Sequence, residues 1–159
     1  MPAGLERRYG RGRHHFVRFS CYHRNEHFST PGSRLLFERC LETIRARYDF
    51  TLDVYVVMPE HVHLLVSEPA QHTLSVVMQA LKVSVARKMT PGPFRERRFY
   101  DFSVFTEQKH VAKRQYIHCN PFTRGLVEHP KDWIGSSYRH WAYGEKAIVS
   151  IASTWTYAE

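Results

Sequence analysis

The sequence predicts an α+β sandwich of the ferredoxin-like kind, an antiparallel sheet laid down in the order βαββαβ, with one further helix after it. Short runs that alternate at period two are separated by longer runs of helical spacing, in the order strand, helix, strand, strand, helix, strand, helix. Two of the strands are joined by the tight Met58-Pro59-Glu60 break, as a hairpin requires. At 159 residues the chain is long enough for a single core.

Each element has its own local signal. Residues 1–14, rich in Gly and Arg, read as a basic N-terminal arm; residues 15–145 form the domain with its C-terminal extension, and residues 146–159 a tail. The run His15-Phe-Val-Arg-Phe-Ser-Cys-Tyr22 is a first strand, with Phe16, Arg18, Ser20 and Tyr22 on one face and Val17, Phe19 and Cys21 on the other. Pro31-Gly32-Ser33 breaks the chain, and Ser33 is the candidate N-cap of a helix over residues 33–48. Its apolar positions Leu36, Phe37, Cys40, Leu41 and Ile44 recur at helical spacing and cover one side of the sheet.

Residues 49–58 and 61–67 are the second and third strands. Thr73 caps a second helix whose Leu74, Val77, Met78, Leu81, Val85 and Met89 form a core stripe, ended by Pro91-Gly92-Pro93. Residues 94–98 are a basic loop and residues 99–105 a fourth strand. Thr106 caps a third helix over residues 107–119, which Asn120-Pro121 is expected to stop. Residues 125–127 and 133–143 complete a packed extension with aromatic anchors, and Trp133, Tyr138 and Trp141 are read as packing residues.

Composition narrows the function classes. Lys and Arg outnumber Asp and Glu by 23 to 15, alongside eleven His, ten Phe, nine Tyr and three Trp. Basic charge interleaved with aromatic rings suits a polyanion whose bases can stack, meaning nucleic acid and especially single strands. The same balance also fits a protein that is simply soluble and cationic. Three widely spaced cysteines argue for a reduced, cytoplasmic protein without a disulfide framework. No apolar run approaches the roughly 20 residues of a membrane span, and no apolar stretch follows the charged N-terminus as in a signal peptide.

Two groups of residues can carry chemistry. In the third strand, central in this architecture, His61 and His63 point to one face about 7 Å apart and make half of a metal site. The pair equally suits a structural role, hydrogen-bonded or solvated. In the third helix Tyr116 and Asn120 are four apart, with Lys113 three before Tyr116, so all three share a face. Tyr116 is then a nucleophile for a phosphodiester, Asn120 an oxygen ligand to a hard cation, and Lys113 a cation that favours the phenolate or holds the phosphate. The spacing also fits a half-buried Tyr116 and an Asn120 that only caps the helix before Pro121.

Three blocks in order carry a family resemblance: Val57-Met-Pro-Glu-His-Val-His-Leu-Leu-Val66, then Tyr116-Ile-His-Cys-Asn-Pro-Phe-Thr-Arg-Gly-Leu-Val127, then Trp133-Ile-Gly-Ser-Ser-Tyr138. Together they resemble the HUH single-tyrosine transposases, and within them the REP-associated tyrosine transposases of bacteria, over about residues 15–143. The resemblance implies a ferredoxin-like HUH domain, bacterial and cytoplasmic, that binds a palindromic single-stranded DNA hairpin. It implies cleavage and rejoining through a 5′-phosphotyrosine, with Tyr116 as nucleophile and His61, His63 and Asn120 holding Mg²⁺ or Mn²⁺. Glu60 departs from the family, which usually carries Asn before the first motif histidine; the carboxylate there adds a metal-facing charge or solvates the turn.

Expected DNA contacts are Arg11 and Arg13 in the arm and Arg95, Arg97 and Arg98 in the basic loop, which as a group carry salt-dependent affinity. The main alternative is a domesticated hairpin-binding protein without strand transfer. An RNA-binding ferredoxin-like domain fits less well, since it places aromatics where His61 and His63 stand, and a hydrolytic nuclease leaves no covalent adduct. Monomer and homodimer both remain open, as does Tyr116 serving a partner's histidines.

Overall fold

A computed structural model describes residues 14–89, 100–104 and 106–152. The elements are β1 (His14–Ser20), α1 (Pro31–Tyr48), β2 (Leu52–Val57), β3 (His61–Ser67), α2 (Leu74–Lys88), β4 (Tyr100–Val104), α3 (Glu107–Thr123) and a short α4 (Tyr138–Tyr143). The four strands pair antiparallel in the spatial order β2-β3-β1-β4, the ferredoxin-like arrangement expected. Arg18 lies opposite His63 and Ser20 opposite His61, so the histidines sit mid-sheet against β1.

The sheet has two buried faces. On one, α1 and α2 set Phe37, Leu41, Ile44, Val77, Met78, Leu81 and Val85 against Val17, Phe19, Val62, Leu64 and Val66. On the other, Ile117 of α3 and Trp141 of α4 pack against Phe16, Val54, Val56, Met58 and Leu65. Covering both faces explains why β2 is buried at every position rather than at alternate ones.

Several local expectations shift by a turn. Ser33 does not cap α1; Thr30 does, accepting the Ser33 N–H at 3.2 Å, while the Ser33 hydroxyl reaches back toward the Thr30 N–H. That reciprocal box leaves Pro31 in the first turn, where a missing N–H costs nothing. The second strand begins at Leu52, because Asp49 takes the left-handed conformation that closes α1. Helix α3 does not stop at Asn120-Pro121 but runs on to Thr123. Proline removes only its own donor near the end of a helix, and burial of Asn120 and Pro121 outweighs one lost bond.

The outer edge of β2 is occupied by the extension. Val57 N–H donates to Gly135 at 2.7 Å, Ser137 N–H donates to Tyr55 at 3.0 Å, and Val56 bridges Ser136. At the other end Ile151 bridges Leu52 and Val149 is fully buried in the core. An edge strand is thereby covered instead of presenting free backbone groups. No helix among the described residues is long and apolar enough to cross a membrane.

Candidate active site

The site is assembled where the C-terminal half of α3 crosses β3 and β1. Period-two alternation turns His61 and His63 toward α3 while Val62 and Leu64 enter the opposite core. Their imidazoles meet edge to face, with the two Nε2 atoms 2.9 Å apart. Phe16 of β1 stacks on His63, and the Tyr116 ring stands edge-on to His63 with centroids 5.5 Å apart. Tyr116 is half exposed, whereas His61 and His63 are buried. Lys113 Nζ lies 4.4 Å from the centroid of Phe16 and 5.8 Å from that of Tyr116. Phe16, Arg18, His63, Lys113 and Tyr116 line one open cleft of about 360 Å³.

The fold thus gathers His61 and His63 of β3 with Lys113 and Tyr116 of α3, two elements of the same chain. Asn120 is buried one turn beyond Tyr116 on α3. Arg11, Arg13, Arg95, Arg97 and Arg98 fall outside the described residues.

Glu60 supplies an unexpected arrangement. Its carboxylate neither solvates the turn nor stands free. It accepts from Arg24 at 3.0 Å and from Arg124 at 2.9 and 3.3 Å, and lies 2.6 Å from His61 Nδ1. Burial would raise its pKa, but hydrogen bonds from Arg124 and His61 prevail and hold it at about 2. An ionised carboxylate at Nδ1 requires the proton there, so the Nε2 lone pair of His61 is directed at His63. Burial, opposed by Glu60, lowers the pKa of His61. Burial pushes His63 down to about 3, with His61, Arg18 and Lys113 adding to the effect. Both imidazoles are neutral at physiological pH, the state in which nitrogen can ligate a cation. Among the described residues His63 Nδ1 has no hydrogen-bond partner.

A second tier holds the tyrosine helix. His118 of α3 is buried, its pKa pushed down to about 3 by that burial and by Arg114, and its Nε2 is 2.8 Å from Ser137 Oγ. Ser137 Oγ also accepts the Tyr55 N–H of β2 at 2.9 Å. Trp133 Nε1 donates to the Val57 carbonyl at 2.9 Å and Trp141 Nε1 to the Asp53 carbonyl at 2.9 Å, consistent with their expected packing role.

Sequence reasoning missed Arg18, Arg24, Arg124, His118 and Ser137. Alternation shows only that Arg18 shares a strand face with Phe16; its place beside His63 depends on the β1–β3 register. Arg124, four after Asn120, was within reach of a helical-face reading, but its partner Glu60 is 64 residues away.

The family model described as "Transposase IS200 like" matches residues 10–119, and the chain belongs to that family. The fold resembles that of a REP-associated tyrosine transposase bound to a REP hairpin, at 19% identity and a TM-score of 0.73, covering 92% of this chain and 90% of that one. It also resembles a protein of Deinococcus radiodurans R1 that carries a provisional transposase designation, at 23% identity and a TM-score of 0.52, covering 65% of this chain and 87% of that one. No curated protein matches the chain at a significant level.

Proposed function

We propose that this transposase is a metal-dependent single-stranded DNA transesterase, which binds palindromic hairpin DNA and cuts and rejoins it through a 5′-phosphotyrosine. The observation that carries the reading is the cleft itself. An accessible Tyr116 stands against a neutral His63, whose Nε2 is 2.9 Å from that of His61, in a basic setting. The domain would span residues 15–145, with the arm before it.

The donor set fits a divalent cation. Two Nε2 atoms at this spacing are compatible with adjacent positions on one ion, and Glu60 fixes the tautomer of His61 as a carboxylate behind a metal-bound histidine does. His61, His63 and Asn120 would hold Mg²⁺ or Mn²⁺, the imidazoles favouring Mn²⁺. When bound, the ion would polarise the scissile phosphate and steady the leaving 3′ oxygen.

The chain's own residues do the rest. Tyr116 Oη attacks phosphorus, forming the tyrosyl O–P bond as the P–O3′ bond breaks; the phenolic proton leaves to water in the open cleft and the 3′ oxygen gains one. Reversal by another 3′-OH rejoins strands without an external energy source. Arg18 and Lys113 place positive charge where the phosphate must lie, and Phe16 holds the His63 ring flat against β1. The neighbour bound to a REP hairpin supports hairpin DNA as the ligand class. One chain supplies both halves of the site, which favours a tyrosine that acts in cis.

The test is a denaturing gel with labelled single-stranded hairpin DNA and Mn²⁺. A covalent protein–DNA band lost in Tyr116→Phe is expected; an adduct surviving in that variant would remove Tyr116 from the role. Binding without an adduct in the wild-type chain would leave hairpin recognition alone.

A further inference from the structure

The face of the sheet beneath α3 holds a second polar cluster, about 13 Å along β1 from His63. His14 opens β1, Asp53 lies in β2 and His110 in the first turn of α3. His14 Nε2 is 3.1 Å and His110 Nε2 2.8 Å from the same Asp53 oxygen, Oδ2. The three side chains are only 12%, 8% and 11% exposed, and one donor atom from each lies within 4.8 Å of the other two. Among the described residues no other three His, Cys, Asp or Glu side chains converge in this way.

The backbone is built to deliver Asp53 there. Leu52 pairs with Val66 and Val54 with Leu65, so Asp53 is the extra residue of a β-bulge. A bulge re-aims a side chain that strict alternation would send elsewhere. Alternation from Leu52, which enters the α1/α2 core, sends Asp53 to the α3 side, and the bulge lets Val54 face that side as well, where strict alternation would return it to the α1/α2 core. The Asp53 carbonyl is held by Trp141 Nε1 at 2.9 Å.

We propose that His14, Asp53 and His110 form a second metal site, distinct from the His61–His63 cleft, that takes a divalent transition ion such as Zn²⁺. Two imidazoles and one carboxylate are a donor set such ions prefer over Mg²⁺ or Ca²⁺, and three protein ligands leave a position for water. Binding replaces the two hydrogen bonds to Asp53 with metal bonds, each imidazole presenting an Nε2 lone pair to the ion with its remaining proton on Nδ1. The ion ties the first turn of α3 to β1 and β2, six residues before Tyr116 on the same helix, so its role is to clamp the helix rather than to touch DNA. The proposal stands apart from the reading of the cleft.

The experiment uses the full chain carrying His61→Ala and His63→Ala, stripped with chelator and titrated with Zn²⁺ against a chromophoric competitor. One equivalent should bind, and adding Asp53→Asn or His110→Gln should weaken it at least about tenfold, the loss that even an outer-shell change causes. Imidazole ¹⁵N spectra of the same double variant need no further substitution: His14 and His110 Nε2 should shift on Zn²⁺ addition. Absence of those shifts, absence of Zn²⁺ binding, or binding undiminished in folded Asp53→Asn and His110→Gln chains would each overturn the site.

Discussion

Ser137 Oγ lies 2.8 Å from His118 Nε2, and through that contact the extension grips the helix that carries Tyr116. Ser137 is fully buried and also accepts the Tyr55 N–H, so one hydroxyl joins β2, α3 and the 133–138 segment. Ser137→Ala removes the hydroxyl contact from the buried Tyr55 N–H and from the buried His118 imidazole. Urea denaturation should show a loss of about 1–3 kcal/mol, with slower adduct formation and little change in hairpin affinity.

Glu60→Gln keeps the shape of the side chain but removes its charge from Arg24, Arg124 and His61. The Mn²⁺ concentration for half-maximal cleavage should rise roughly 10–100-fold, the usual cost of losing a carboxylate behind a ligating histidine. An unchanged metal requirement would mean that Glu60 serves only the turn.

Arg18 and Lys113 flank the cleft that is proposed to receive the phosphate. Converting either to Gln should lower the slope of log affinity against log salt by about 0.7, the value for one phosphate contact on a single strand. Fluorescence anisotropy with hairpin DNA across a salt series reads this directly.

Gly135 sits at φ +106°, and a Cβ there would come within 2.9 Å of Arg34 Cδ. Arg34 cannot easily withdraw, since it stacks on Trp133 and donates to the Phe28 carbonyl at 2.8 Å. Gly135→Ala should therefore destabilise by about 1–3 kcal/mol, measured by thermal or urea melts.

A buried pair gives a pH-dependent expectation. Burial raises the pKa of Glu38, opposed by the hydrogen bond from Tyr55 and by Arg34. A carboxyl raised on folding favours the native state while protonated, and that contribution is lost as pH rises through the folded value. Glu38→Gln should melt with the wild type near about pH 4 and above it near about pH 8. A gain at the acid end instead would contradict the assignment.

What was legible in the sequence is what short-range rules govern. The caps Thr73 and Thr106, the third strand at 61–67 and the common face of His61 and His63 follow from neighbours a few residues apart. Thr30 escaped because Ser33 was itself a good cap, and only the geometry shows that the two share the task. The pairing of Ser136 with Val56, the Glu60 clamp and the bulge at Asp53 join residues far apart in the chain or need a known register. No periodicity announces such contacts. The run of α3 past Pro121 is a case of tertiary burial overriding a local stop signal.

The strand order has a consequence for how the molecule forms. β1 is flanked by β3 and β4, so its partners lie about fifty and ninety residues further along the chain, as the pairings His14 with Ser67 and His14 with Val104 show. The hairpin of β2 and β3 can zip early, but it gains its central neighbour only after a long loop closes, and loop entropy must be overcome first. Chain collapse should therefore outpace completion of the sheet. The imidazole pair, borne on the early hairpin, exists before the cleft does, and the cleft is completed when β1 and α3 arrive.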